Sequence, residues 1–152
     1  DDVWEAGDRG EWPRELAAAA EARIQDKDPG RMEDHCENPA VFILEYADGF
    51  RATTLMLDKH IRSFGYAARV NGRVESTEFN PNGGLDQAFA YLGLNVQEMF
   101  LTGKPQYPVE RTLLVSGALE ALMESKYRGY ERVETPHLDV AYHPYENPLI
   151  RP

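Results

Sequence analysis

The sequence predicts an α+β fold: an antiparallel sheet of about four or more strands built from two hairpins, with two long helices packed on one face. Three observations predict it. Val41–Tyr46 and Phe50–Leu57 are rich in β-branched and aromatic residues and flank Ala47-Asp48-Gly49, whose Asp-Gly supplies positive φ in a tight turn. Ser63–Val70 and Arg73–Phe79 flank Asn71-Gly72, the strongest short-range signal for a two-residue type I′ turn. Two later stretches carry apolar residues at helical rather than alternating spacing.

In chain order, Trp12–Ile24 reads as a helix, because Pro13 and Glu15 suit its first turn and Ala17–Ala20 has the highest helix propensity. Gln25–Pro39 collects Asp26, Asp28, Pro29, Gly30, Asp34, Asn38 and Pro39 and reads as a long surface loop. The two hairpins follow, joined into one sheet because an isolated two-stranded hairpin is only marginally stable in water. Asn80–Gly84 is a turn cluster. Leu85–Leu101 then places Leu85, Phe89, Leu92, Val96, Met99 and Phe100 at helical spacing and stops at Gly103, with Pro105 and Pro108 forbidding continuation.

Val109–Tyr127 is the second long helix, its apolar set (Val109, Leu113, Leu114, Ala118, Ala121, Leu122, Tyr127) wide enough to make it the most buried one. Arg132–Thr135 and Leu138–Tyr142 read as short edge strands, and His143–Pro152, with three prolines, as an irregular tail. This divides the chain into residues 1–39, a helix and loop continuing an upstream region, and 40–152, the α+β domain proper.

A chain of 152 residues fits one such domain and buries roughly 68–70% of its unfolded surface. Its formal charge of -10 repels phosphate backbones, and no Lys/Arg stripe interrupts it, which argues against a nucleic-acid partner. No apolar run reaches the roughly 18 residues of a membrane helix, and Asp1-Asp2-Val3-Trp4 lacks the order of a signal peptide, so a soluble, cytoplasmic protein without a membrane partner is expected. The single cysteine, Cys36, cannot form an internal disulfide.

The chemistry-bearing motifs are sparse. His137 and Asp139 stand two apart, would share one strand face, and are the polar pocket candidates: a base beside its orienting carboxylate. Asp34-His35-Cys36-Glu37 gathers four ligand types, yet adjacent residues cannot all point at one ion, so no metal is expected. Asn82-Gly83-Gly84 lacks the spacing of a phosphate loop, and Ser116 beside Gly117 suits close helix packing better than nucleophilic attack. His60 marks a turn, and Cys36 has no basic neighbour in sequence to activate it. Arg51, Arg62, Arg69 and Arg73 lie on the strands or beside them and could meet an anion only where their parity matches. Trp4 and Trp12 are placed to pack against whatever precedes the chain.

Phe100-Leu101-Thr102-Gly103-Lys104-Pro105, then Pro108-Val109-Glu110-Arg111-Thr112-Leu113, a helix closing in Ser125-Lys126-Tyr127-Arg128-Gly129, and Arg132–Pro136 together resemble the C-terminal domain of Gfo/Idh/MocA-type oxidoreductases, the glucose-fructose oxidoreductase and inositol dehydrogenase group. The likeness covers the latter two-thirds of the chain. It implies a sheet that walls a substrate pocket and forms a homo-oligomer interface. It also implies that the NAD(P) cofactor sits in a separate Rossmann domain upstream of Asp1, so that this fragment holds no cofactor and does not turn over alone. No catalytic residue carries over, Lys104 included. The rival expectation is a free-standing binding or assembly module that uses an open sheet face.

Overall fold

The computed structural model describes residues 2–79 and 84–143. The chain forms two compact units, Asp1–Asn82 and Gly83–Pro152. The predicted turn at Asn80–Gly84, apart from Gly84 itself, and the tail beyond His143 lie outside the described residues.

The first unit opens with α1 (Val3–Asp8), whose start is set by Asp2: its carboxylate accepts the backbone N–H of Trp4 at 2.7 Å and of Glu5 at 3.3 Å. The predicted helix after Pro13 is α2, shorter at both ends (Arg14–Glu21). The predicted surface loop contains α3 (Met32–His35), one turn that turns Met32 and Cys36 inward, four residues apart on one face. Both are buried with Leu57, and Trp4, Leu55 and Ile61 pack around them. Four residues of regular spacing inside a run of turn-formers are too few for periodicity to detect. Trp4 and Trp12 meet edge to face with centroids 6.3 Å apart, and the Trp12 indole N–H donates to the Val3 carbonyl at 2.8 Å. They pack on each other and on Arg14, which lies over both rings.

Both hairpins form where expected. β1 (Ala40–Glu45) pairs antiparallel with β2 (Arg51–Met56), Phe42 opposite Thr54. β3 (Phe64–Val70) pairs with β4 (Arg73–Phe79), Ala67 opposite Ser76. Asn71 and Gly72 are both left-handed, at φ 50° and 78°, the geometry a type I′ turn requires.

The single four-stranded sheet does not form: β1–β2 and β3–β4 are separate two-stranded sheets. The reason lies in the backbone groups between β2 and β3. Asp28 donates its N–H to the His60 carbonyl at 2.9 Å, Arg62 donates to the Asp26 carbonyl at 3.0 Å, and Lys27 bridges Ile61. The segment after α2 thus pairs with the connection between the hairpins, and β2 and β3 are left in separate sheets. In exchange the second hairpin lies on α2: a Cβ on Gly65 would sit 3.1 Å from the Ala20 carbonyl, and Arg23 donates to the Ser76 hydroxyl at 3.1 Å. Each hairpin gains its support from neighbouring elements instead of from the other hairpin.

The second unit holds α4 (Gly84–Thr102) and α5 (Val109–Tyr127), with bounds within one residue of those the sequence predicts. Gly103 stops α4 at φ 69°, its N–H bonded to the Met99 carbonyl at 2.8 Å, and Pro108 precedes the first turn of α5. The expected burial of α5 is corrected: Gly117 is its one buried residue among those described, while Val109, Leu113 and Tyr127 are exposed. What packs on α5 in this unit is the 3-10 turn Pro136–Leu138, whose Leu138 side chain occupies the space a Cβ on Gly117 would need. The predicted edge strands 132–135 and 138–142 are likewise absent, because Pro136 supplies no ladder N–H and its fixed φ opens the 3-10 turn.

Candidate functional site

The first unit encloses a polar centre at His60, a residue whose sequence context marks only a turn. His60 is 0% exposed. Its Nε2 lies 2.9 Å from Glu21 Oε1, and since a carboxylate only accepts, Nε2 carries the proton. Lys27 supports the same carboxylate, with Nζ 3.5 Å from Oε1 and 2.7 Å from the Glu21 carbonyl. The His35 ring stacks on His60 at 5.2 Å and is itself oriented by the Pro29 carbonyl, 2.9 Å from its Nε2. His60 Nδ1 is buried with no hydrogen-bond partner among the described residues.

A carboxylate and an imidazole in this relation are the parts of a general base. The imidazole is fully enclosed while the Glu21 side chain is 15% exposed, and the same bond ties α2 to the β2–β3 connection. The one neighbouring thiol is equally inert: burial pushes Cys36 up to about 11, with the negative charges of Asp58, Glu33 and Glu21 adding to it. The signal that could have found this centre is Glu21 and Lys27, spaced to flank the end of a helix, but their partner lies 39 residues away from Glu21.

The four ligand types at Asp34–Glu37 disperse. His35 goes to Pro29, Cys36 to the core, and Glu37 to Lys59 at 2.6 Å. Among the described residues no group of three or more His, Cys, Asp or Glu is arranged to hold a metal ion. Of the arginines, Arg62 binds Asp26 at 2.8 Å and Asp28 at 3.1 Å, Arg69 binds Glu15, and Arg51 lies 3.5 Å from Glu45. Carboxylates of the chain itself therefore occupy three of the four positions suggested for an anion. The hydrogen bond to Arg62, followed by its charge, holds Asp28 below the ordinary carboxylate range.

His137 lies in the 3-10 turn and Asp139 just after it, both exposed, and neither side chain makes a hydrogen bond or ion pair among the described residues. With three residues per turn, positions two apart project in different directions instead of sharing a strand face.

The surface carries a more distinctive feature. On β3–β4 the residues facing α2 are Gly65, Ala67, Arg69, Val74, Ser76 and Glu78, so alternation sends Phe64, Tyr66, Val70 and Phe79 to the opposite side. All four are at least half exposed, Phe64 at 75%. Phe64 stands directly opposite Phe79, and the Tyr66 ring lies 6.0 Å from that of Phe79. They share that face with Ala68, Arg73, Glu75 and Thr77, so the aromatic cluster of Phe64, Tyr66 and Phe79 sits at one end of the ribbon and Val70, opposite Arg73, at the other. No helix among the described residues is long and apolar enough to cross a membrane. Comparisons with protein-family models, with curated proteins and with solved structures each find no match.

Proposed function

We propose that this chain is a non-catalytic binding and assembly module whose docking element is the open face of the β3–β4 hairpin. The observation that carries this is the exposure of Phe64, Tyr66, Val70 and Phe79 on one face while α2 holds the other. Exposed aromatic clusters such as Phe64, Tyr66 and Phe79 mark interaction sites, and aromatic side chains dominate the energetics of such contacts. The chemistry-bearing groups point the same way, since His60 is enclosed, Cys36 is protonated, and His137 and Asp139 stand apart on the surface.

The test is light scattering on the whole chain and on Phe64→Glu. An exposed position tolerates Glu without unfolding, so circular dichroism stays unchanged while the assembled species loses mass. Unchanged mass in that variant removes the hairpin face from the argument.

One observation favours the second reading, the C-terminal domain of a Gfo/Idh/MocA-like oxidoreductase that contributes pocket wall and subunit contacts: α4, the Gly103–Pro108 connection and α5 follow the punctuation on which that resemblance rests. Against it stands the division of the strands into two sheets, which removes the continuous wall the reading calls for. NAD(P)H fluorescence titration of the protein encoded by the complete gene decides this: saturable binding supports the reading, and none ends it.

A further inference from the structure

β3 and β4 form a sheet of two strands, so each has one side without a ladder partner among the described residues. Which backbone groups face that side follows from the turn. A two-residue type I′ turn is closed by a hydrogen-bonded pair, here Val70 and Arg73, and the bonded pairs then alternate along the ribbon to Ala68 with Glu75, Tyr66 with Thr77 and Phe64 with Phe79. Gly65, Ala67 and Arg69 therefore turn N–H and C=O outward on β3, as Val74, Ser76 and Glu78 do on β4. Among the described residues no backbone group outside the ribbon bonds to β3.

The two edges differ in charge. β4 carries Arg73, Glu75 and Glu78, and charged side chains along an edge oppose strand addition. Two β4 edges laid together would gather the Glu75 and Glu78 carboxylates of both copies, on a chain whose formal charge is already -10. β3 carries one charge, Arg69, and it is bound to Glu15.

We infer that β3 pairs with β3 of a second copy, antiparallel about Ala67, to make one four-stranded sheet. This rests on the reading of the β3–β4 hairpin as the docking element and names its partner. The register about Ala67 uses the whole of β3. It opposes Ala67 to itself and Gly65 to Arg69, the residues with outward backbone groups, so these pairs exchange hydrogen bonds. On the open face it sets Phe64 against Val70 and Tyr66 against Ala68, each aromatic ring against a smaller apolar side chain, with no charge among them. On the α2 face Gly65 has no side chain to crowd Arg69 of the second copy. The contact is isologous and closes at two copies, since the edges left outside are the charged β4 strands. A ribbon that is marginal as two strands gains the support of four.

Sedimentation equilibrium of the whole chain should give twice the 17.2 kDa chain mass, falling to single mass in Ala67→Pro and staying doubled in Val74→Pro. Either proline removes an outward N–H and no bond between β3 and β4. Amide hydrogen exchange of the unaltered chain, which does not depend on a variant folding, should show protection at Gly65, Ala67 and Arg69 that grows with concentration, and no such growth at Val74, Ser76 and Glu78. A chain monomeric at every concentration, or a dimer in which the Gly65, Ala67 and Arg69 amides exchange no more slowly than in the dilute chain, overturns the inference. The hairpin reading fails separately: it falls where Phe64→Glu leaves the assembled mass unchanged, and it stands without this inference where Phe64→Glu dissociates a dimer that Ala67→Pro leaves intact.

Discussion

At the scale of single residues, burial decides what each reactive group can do. His60 has the partner of a catalytic imidazole and the exposure of a core residue, and Glu21 Oε1 at 2.9 Å ties it to α2 instead of to solvent. Cys36 obeys the same rule with a measurable consequence. Its folded value of about 11 lies above its ordinary 9.0, so the neutral thiol is the form the fold favours. The sign follows: the stability linked to this group is complete below about pH 9 and is lost as pH rises through about 11. In mildly alkaline buffer, iodoacetamide followed by intact mass should show Cys36 unmodified in the folded protein and modified once denaturant is added. Fast alkylation of the folded chain would contradict this. Glu33 shows the competition in the other direction. Burial raises it, but the Arg31 hydrogen bond, its own backbone bond, and the charges of Arg31 and Arg14 outweigh burial and leave it lowered.

At the scale of elements, backbone geometry sets which glycines matter. Gly72 holds φ 78° in the β3–β4 turn, a region that a side chain disfavours by about 1 kcal/mol, and nothing crowds its Cβ position. Gly93 sits inside α4 with equally open space and ordinary helical geometry, where alanine gains about 0.5–1 kcal/mol over glycine. Gly72→Ala should therefore destabilise the chain and Gly93→Ala should stabilise α4 by similar amounts, read from urea titrations followed by tryptophan fluorescence and by helical dichroism respectively. Equal effects of one sign would refute the assignment of either glycine. Gly117 is a third case, set by packing instead of φ, since Leu138 fills the space beside it.

At the scale of the molecule, the two units differ in what they bury. The first holds Trp12 at 3% exposure, Ile24, Met32, Cys36, Phe42 and Leu57 inside, whereas the described residues of the second bury Gly117. Under an assembly reading, a unit whose helices leave Val115, Leu119, Met123 and Tyr127 in water gains stability from association, and association depends on concentration. Both tryptophans lie in the first unit and the two long helices in the second. Thermal melts of the Phe64→Glu chain across a wide dilution series should then show a tryptophan transition that stays in place and a helical dichroism transition that falls with dilution. Coincident transitions at every concentration would reject this division. By itself the sequence determined the elements whose causes are local: the Asp48-Gly49 and Asn71-Gly72 turns place both hairpins, and Gly103 and Pro108 bound α4 and α5 to within a residue. What only the tertiary structure decided are the choices between distant partners. Residues 26–28 pair with 60–62 between two separate sheets, Met32 and Cys36 turn a polar loop into core, and Glu21 claims His60 from 39 residues away. Local signals record φ, spacing and capping. They carry no information about which of several equally satisfiable partners a buried polar group will take.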